Sequence, residues 1–236
     1  MQEAPYLPFL RWLLLAGLIL FGLYVAWDLD LLSRMIAGDR TRISLLILGL
    51  FGLASCHCAW RSFTLSREHN ALSAIIQCAG SGPLQVEDQR LRNGGQPLPL
   101  SLAGEYLAGV LGSAAARDNQ LLAEVLAEQA RGQHEAGWFA TGLLVKLGLL
   151  GTVVGFVMML GSVAQLDSFD VGDVQQLLQH MTGGMGVALN TTLLGLTGSM
   201  LLGMQYLLLD RAADRLVARA VQFAELYTPA PESDGH

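Results

Sequence analysis

Two apolar stretches of the sequence carry hydroxyl side chains among small residues. The stretch KLGLLGTVVGF contains Thr152, and the stretch ALNTTLLGLTGS contains Asn190, Thr191 and Thr192. A hydroxyl both donates and accepts hydrogen bonds, and an amide is costly to bury in lipid. These polar groups therefore favour a bundle interior or a polar path through a membrane.

Small residues recur at helical spacing in both stretches. They are Gly148, Gly151 and Gly155 in the first, and Ala188, Thr192, Gly195, Ser199 and Gly203 in the second. Glycine is a poor helix former, but small residues let membrane helices approach closely. Ordinary packing, with the hydroxyls bonded to carbonyls of their own helix, is the simpler interpretation. The two matching stripes together favour a bundle interior.

The apolar stretches contain no Asp or Glu. Hydroxyls do not titrate in the working pH range, so a carboxylate from another chain is needed if ions cross here. Lys146, the only lysine, is predicted to be an interfacial anchor. Cys56 and Cys58 point about 200° apart on a helix, which disfavours a shared metal ion. We therefore predict no enzyme, no cofactor and no metal.

Composition indicates a membrane protein. The chain has 236 residues, of which 52% are hydrophobic and 14% are charged, whereas a soluble domain has about 25% charged residues. The net charge of −6 provides no basic surface for nucleic acid. A helix that crosses a bilayer needs roughly 20 mostly apolar residues. Four stretches qualify, at residues 7–27, 43–60, 138–166 and 185–209.

Arginine placement predicts the orientation of the spans. Three arginines follow the fourth span, at Arg211, Arg215 and Arg219. The loop before that span has no Lys or Arg and contains Asp167, Asp170 and Asp173. This loop is therefore predicted to be outside, and both termini cytoplasmic. The loop at residues 28–42 contains Arg34, Arg40 and Arg42, which would favour a cytoplasmic position for this loop. We nevertheless predict that it is outside, because four spans must alternate in direction and the last pair gives the clearest signal.

We predict an all-α polytopic protein with four transmembrane helices, of which the third and fourth extend into the cytoplasm. It is predicted to begin with an N-terminal helix pair (1–60) and a cytoplasmic segment (61–137). A channel-forming helix pair (138–209) and a cytoplasmic helix with a disordered tail (210–236) follow. Residues 81–100, rich in Gly and Pro, are predicted to be a loop or linker. Residues 119–137 are predicted to run as a helix into the third span. Pro229 and Pro231 end the last helix.

The motifs LGLLGTVVGFVMML (147–160) and GMGVALNTTLLGLTGSM (184–200) resemble the two signature spans of the MotA/TolQ/ExbB proton-channel family. The resemblance covers roughly residues 117–220, and the two early spans resemble the MotA layout. It implies a homopentamer in the bacterial inner membrane, surrounding two copies of a one-span partner of the MotB, TolR or ExbD type. That partner supplies a transmembrane Asp.

The family threonines fall on Thr152 and Thr192, whereas a glutamate of ExbB-like members falls on Val187. The resemblance implies that these hydroxyls meet the partner Asp, and the glycines are expected to let the partner helix approach. Thr191 and Asn190 are placed in the same ion pathway. Family membership favours protons over sodium, and the short cytoplasmic segment disfavours flagellar torque. A non-conducting scaffold that assembles a partner is the alternative.

Overall fold

The computed structural model describes residues 6–39, 41–80, 82–87, 90–93, 96–99, 101–112, 116–163 and 171–227. Over these residues the protein is helical apart from one small sheet. Four helices are long and apolar enough to cross a membrane. The predicted all-α polytopic fold is therefore confirmed.

The first half of the chain contains helices α1 (Leu7–Asp28), α2 (Leu31–Gly38) and α3 (Ile43–Ala79). Helix α3 has 37 residues, which corresponds to about 55 Å, whereas the hydrocarbon core of a bilayer is about 30 Å thick. The helix thus continues beyond Trp60, where the apolar stretch ends. The Arg and Glu residues that follow are good helix formers, so they end the apolar stretch but not the helix.

A three-stranded antiparallel sheet follows α3, and the prediction that residues 81–100 are only a loop or linker is wrong in this part. Its strands, in the order β1-β2-β3, are β1 (Leu84–Glu87), β2 (Arg90–Asn93) and β3 (Gln96–Pro97). Leu84 pairs with Asn93, and Asn93 also pairs with Gln96. Pro97 lies in the short edge strand, where a missing N–H is tolerated. The proline therefore does not prevent the sheet.

The second half contains α4 (Leu102–Gly112), α5 (Ala116–Arg131), a 3-10 turn (Gly132–His134), α6 (Glu135–Val163) and α7 (Val171–Tyr227). The turn interrupts the helix for which the sequence predicts an unbroken run into the third span. Helix α7 has 57 residues, about 85 Å, which confirms the helical continuation of the fourth span.

Some predictions concern positions outside the described residues. These are Asp167, Asp170, Pro229 and Pro231, together with the tail that follows them. Asp173 belongs to α7, but its side chain is outside the described part of the structure.

The chain forms two compact units built from discontinuous segments. The span unit comprises residues 13–58 and 136–206, and the polar unit comprises residues 59–135 with the two chain ends. The four consecutive segments expected from the sequence, at residues 1–60, 61–137, 138–209 and 210–236, stay a prediction. Helices α3 and α7 contribute to both units, because each continues beyond its apolar stretch.

The polar unit has an apolar core and capped helix ends. Helices α3, α4, α5 and α7 contribute fully buried side chains to the core, including Leu72, Leu107, Leu126 and Leu216. At the start of α4, the Leu102 N–H donates to Glu68 Oε2 at 2.8 Å and the Gly104 N–H donates to Ser101 Oγ at 3.0 Å. These bonds satisfy donors that a helix start leaves without partners.

Candidate functional site

Within the span unit, the glycines of α6 lie directly against α7. A Cβ placed on Gly155 would lie 2.7 Å from the Gly184 carbonyl oxygen and 2.8 Å from the Ala188 nitrogen. A Cβ on Gly195 would lie 2.7 Å from the Leu144 carbonyl oxygen. Side chains do not tolerate such distances to backbone atoms, so only glycine permits this approach.

The glycine face of α6 is therefore occupied by α7 of the same chain. Gly148 faces the backbone of Thr191, Thr192 and Gly195. The expectation that these glycines leave room for a partner helix needs correction, because α7 fills that room. We call this contact the glycine seam, and define it by Gly148, Gly151 and Gly155 of α6 and Gly184, Ala188, Thr191 and Gly195 of α7.

Thr191 lies inside the glycine seam. Its side chain is fully buried and occupies the notch left at Gly151, where a Cβ would overlap it. Its hydroxyl donates to Val187 O at 2.9 Å and approaches Ala188 O at 3.1 Å. Thr191 thus contributes packing within one chain.

Thr192 and Thr152 lie at the edge of the glycine seam. The Thr192 hydroxyl is 3.1 Å from Ala188 O and 3.3 Å from Gly148 O. The Gly148 carbonyl is also the acceptor that helix geometry assigns to the Thr152 amide. The Thr152 hydroxyl donates to Leu149 O at 2.5 Å. Both threonines are only partly buried, so two partly exposed residues with hydroxyl groups lie along the edge of the seam.

The other predicted site residues lie around this contact. Asn190, Ala188 and Ser199 are partly buried on α7, and Lys146 is exposed on α6. Val187, at the position of the ExbB-like glutamate, is fully buried. The site residues therefore differ in access, and the two edge threonines combine a hydroxyl with partial exposure.

A second polar cluster joins α3 to α7 within the span unit, and the sequence analysis missed it. The Ser55 hydroxyl donates to Gln205 Oε1 at 2.9 Å. Tyr206 Oη lies 2.9 Å from His57 Nδ1 and donates to Ala54 O at 3.2 Å. Two features of the sequence could have indicated this cluster. One is a histidine in an apolar stretch, and the other is a Gln-Tyr pair among leucines.

The two cysteines of the span unit differ in exposure. Cys56 is exposed, whereas Cys58 is buried. In the part of the chain that the structure describes, no group of three or more His, Cys, Asp or Glu side chains could hold a metal ion. The described polar side chains between α6 and α7 in the glycine seam are thus hydroxyls rather than metal ligands.

The fold and the site together define a multi-pass helical membrane protein whose third and fourth spans form a close, hydroxyl-edged pair. Residues 111–222 match the MotA/TolQ/ExbB proton channel family, so this region of the chain is similar to that family. The match covers just under half of the chain and includes both α6 and the apolar part of α7. No curated protein and no solved structure matches significantly. Family members are subunits of membrane channel and transport complexes rather than enzymes, and they generally assemble with single-span partner proteins.

Proposed function

We propose that this protein is the pentameric subunit of an inner-membrane proton channel that drives rotation or force on a one-span partner. Two copies of a MotB-, TolR- or ExbD-like partner would supply the transmembrane Asp. The observation that carries the proposal is the glycine seam in a region similar to the proton-channel family, with Thr152 and Thr192 at its edge. The four apolar stretches themselves contain no carboxylate.

The edge hydroxyls suit a carboxyl group that changes its protonation state. Thr192 shares one proton between Gly148 O and Ala188 O, and its lone pairs remain available as acceptors. It accepts from a protonated Asp, and after rotation of the hydroxyl it donates to the ionised form. Thr152 can exchange its bond to Leu149 O in the same way. One site then binds both forms of the partner Asp, as a gated proton relay requires.

The glycine seam determines where the partner helix binds. Because α7 occupies the glycine face of α6, the partner meets the edge of a rigid helix pair rather than the glycines. Protonation changes the interaction of the Asp with that edge, and successive protonations move it from one subunit to the next. Arginines after the fourth span place both chain termini in the cytoplasm under this proposal.

The test uses the complex of this chain with a one-span partner that carries a transmembrane Asp. Proton flux is measured in vesicles with an internal pH dye, for the intact complex and for variants with normal assembly. Thr192→Val is expected to lower flux by at least about tenfold, since a hydrogen bond to a charged group is lost. Replacing the partner Asp by Asn is expected to abolish flux.

Thr191→Val is the matched control. It removes a hydroxyl at the adjacent position, but that hydroxyl is buried and bonded to its own helix. Flux through the Thr191→Val complex should therefore stay close to the parent value. Unchanged flux in an assembled Thr192→Val complex would reject the role of Thr192. An assembled complex that never conducts protons or sodium would identify a scaffold instead.

A further inference from the structure

A basic cavity lies in the polar unit, between the start of α1, α3 and α7. Its volume is about 270 Å³, and its wall includes Arg11, His69, Arg211 and Arg215, with Pro8 and Leu208. Ligand pockets commonly range from about 300 to 1,000 Å³, so the cavity suits a small group. Its lining residues include three arginines and neither Asp nor Glu.

The three arginines of this cavity have no acidic counterpart among the described residues. In the described part of the chain, no ion pair with a carboxylate is formed by Arg11, Arg211 or Arg215. Arg211 and Arg215 are four residues apart, so they lie on one face of α7. Arginines that line one cavity carry like charges, which repel each other and favour binding of an anion there.

The acidic residues nearest in the sequence bind elsewhere. Asp210 Oδ1 lies 2.6 Å from His134 Nδ1, and Asp214 Oδ1 lies 2.7 Å from Arg131 Nη2. The carboxylates that alternate with the arginines along α7 are thus engaged with the turn before α6 and with the end of α5. Neither carboxylate lines the cavity.

The cavity wall is held in place by bonds among its helices. The Phe9 N–H donates to Ser66 Oγ at 3.0 Å, and the Phe9 and Phe63 rings meet edge to face at 5.8 Å. His69 Nε2 lies 3.0 Å from Ala212 O. The start of α1 is therefore attached to α3, and α3 to α7, which preorganises the cavity before a ligand arrives.

The position of the cavity along the helices corresponds to the edge of a bilayer. Arg11 lies one turn inside the start of the first span, and Arg211 follows the last leucine of the fourth apolar stretch by two residues. Beside them, Leu10 is 53% exposed and Leu207 is 42% exposed. A ligand with an anionic head and apolar chains fits this combination better than a purely polar anion does.

We propose that this cavity binds the phosphate headgroup of an anionic glycerophospholipid, whose acyl chains cover the adjacent exposed leucines. The guanidinium groups match the phosphate oxygens in geometry and charge. Basic pockets between membrane helices are known to select such headgroups. The proposal rests on the membrane location of the chain and is independent of proton conduction.

The experiment titrates phosphatidylglycerol into the purified full-length protein in a neutral detergent. Bound lipid is counted by native mass spectrometry, and the thermal unfolding midpoint is followed in parallel. We expect saturable binding of phosphatidylglycerol and no comparable binding of phosphatidylcholine. Arg211→Gln and Arg215→Gln are each expected to weaken binding about fivefold. Equal binding of the two lipids would overturn the proposal.

Arg67→Gln is the matched control, because Arg67 is exposed on α3 two residues before His69 and does not line the cavity. It removes the same charge and should leave lipid affinity unchanged. An equal loss in Arg67→Gln would show general attraction rather than a site. If Arg211→Gln unfolds, Arg11→Gln and Arg211→Lys test the same cavity, and the Lys variant should retain part of the affinity.

A separate arm distinguishes the lipid from a soluble phosphate. Inorganic phosphate and glycerol 3-phosphate are titrated over the same range as the lipid. Weaker binding of both, by tenfold or more, supports an amphiphilic ligand. Binding of either as tight as that of phosphatidylglycerol would reject the lipid assignment.

Discussion

At Gly137 the span unit has room for only one side chain, and Tyr206 occupies it. The phenol ring lies where a Cβ of residue 137 would be, and Tyr206 is fully buried with its hydroxyl donating to Ala54 O at 3.2 Å. At other glycines of the same unit, such as Gly142, no atom lies within 4 Å of the position that a Cβ would take. Glycines in neighbouring turns of one helix therefore have different roles.

We predict that Gly137→Ala destabilises the protein by about 1–3 kcal/mol, the usual range for overpacking of a filled site. The added methyl group displaces the Tyr206 ring and weakens its bonds to Ala54 O and His57. Gly142→Ala is the control, and it should be neutral or slightly stabilising because alanine is the better helix former. The thermal unfolding midpoint in detergent measures both. Equal midpoints for the two variants would contradict this assignment.

The sequence alone could identify the edge threonines but not the residues that pack between the helices. Thr152 and Thr192 belong to motifs that are recognisable in a single chain. Whether Thr191 or Thr192 points into the glycine seam depends on the rotation of α7 against α6, which a stripe of small residues does not determine. The cluster of His57 and Tyr206 was missed because its members are 149 residues apart.

Helix ends in this protein are stabilised by side chains from outside the helix. The N–H of Phe9 near the start of α1 uses the hydroxyl of Ser66, and α4 uses Glu68 and Ser101. At the start of α3, Asp39 is buried and accepts from the N–H groups of Thr41 at 2.9 Å and Ser44 at 2.6 Å. The element boundaries thus depend on a few polar contacts.

We predict an acid-dependent loss of stability from the cap at Asp39. Burial alone would raise the pKa of Asp39, but the hydrogen bonds from Thr41 and Ser44 outweigh it and leave the pKa below its usual value. An acid with a lowered folded-state pKa stabilises the fold above the unfolded pKa of about 3.9. This contribution is lost as the pH falls through the lower, folded-state pKa.

The measurement compares the unfolding midpoint of the parent and Asp39→Asn from pH 7 to pH 3. Asp39→Asn should be less stable near pH 7, and the difference should shrink in acid as the parent carboxylate becomes protonated. A difference that stays constant over this range would show that the ionised carboxylate contributes nothing.

We also predict that two contacts beside the 3-10 turn, the Arg131–Asp214 ion pair and the His134–Asp210 hydrogen bond, differ in strength. Arg131 and Asp214 are 57% and 52% exposed, so their coupling energy should be within about 0–1 kcal/mol. His134 is only 2% exposed and lies 2.6 Å from Asp210, so their coupling should reach about 1.5–3 kcal/mol. Double-mutant cycles with alanine measure both couplings. A larger coupling for the exposed pair would contradict this ranking.

At the level of elements, the sequence predicted membrane helices well because lipid demands long apolar stretches. It predicted their ends less well. Charged residues after Trp60 mark the edge of the apolar stretch, whereas α3 continues to Ala79. The small sheet was missed because its strands are only two to four residues long and stand among glycines and prolines.

The whole molecule combines a span unit without carboxylates in its apolar stretches and a polar unit that contains most of the described charged residues. The lengths of α3 and α7, about 55 Å and 85 Å, exceed the bilayer core. Both helices are therefore long enough to continue past the bilayer core, and the two units are stabilised in different ways. Small-residue contacts and hydroxyl bonds stabilise the first, and an apolar core with capped helices stabilises the second.

This division predicts that the chain alone does not conduct protons. The apolar stretches contain hydroxyls and amides but no Asp or Glu, and hydroxyls do not release protons near neutral pH. In vesicles that contain only this chain, the decay of a pH gradient should match that of protein-free vesicles. Adding the one-span partner should restore flux, and the partner with Asn in place of its Asp should not.

His57 is the imidazole that could invalidate this prediction, since it lies within the second apolar stretch and is bonded to Tyr206. The variant His57→Asn is therefore measured in parallel in vesicles without the partner. If the parent chain alone conducts and His57→Asn does not, the chain contains its own proton-binding group. The partner carboxylate would then be unnecessary for conduction, and the cluster of His57 and Tyr206, rather than the edge threonines, would define the proton path.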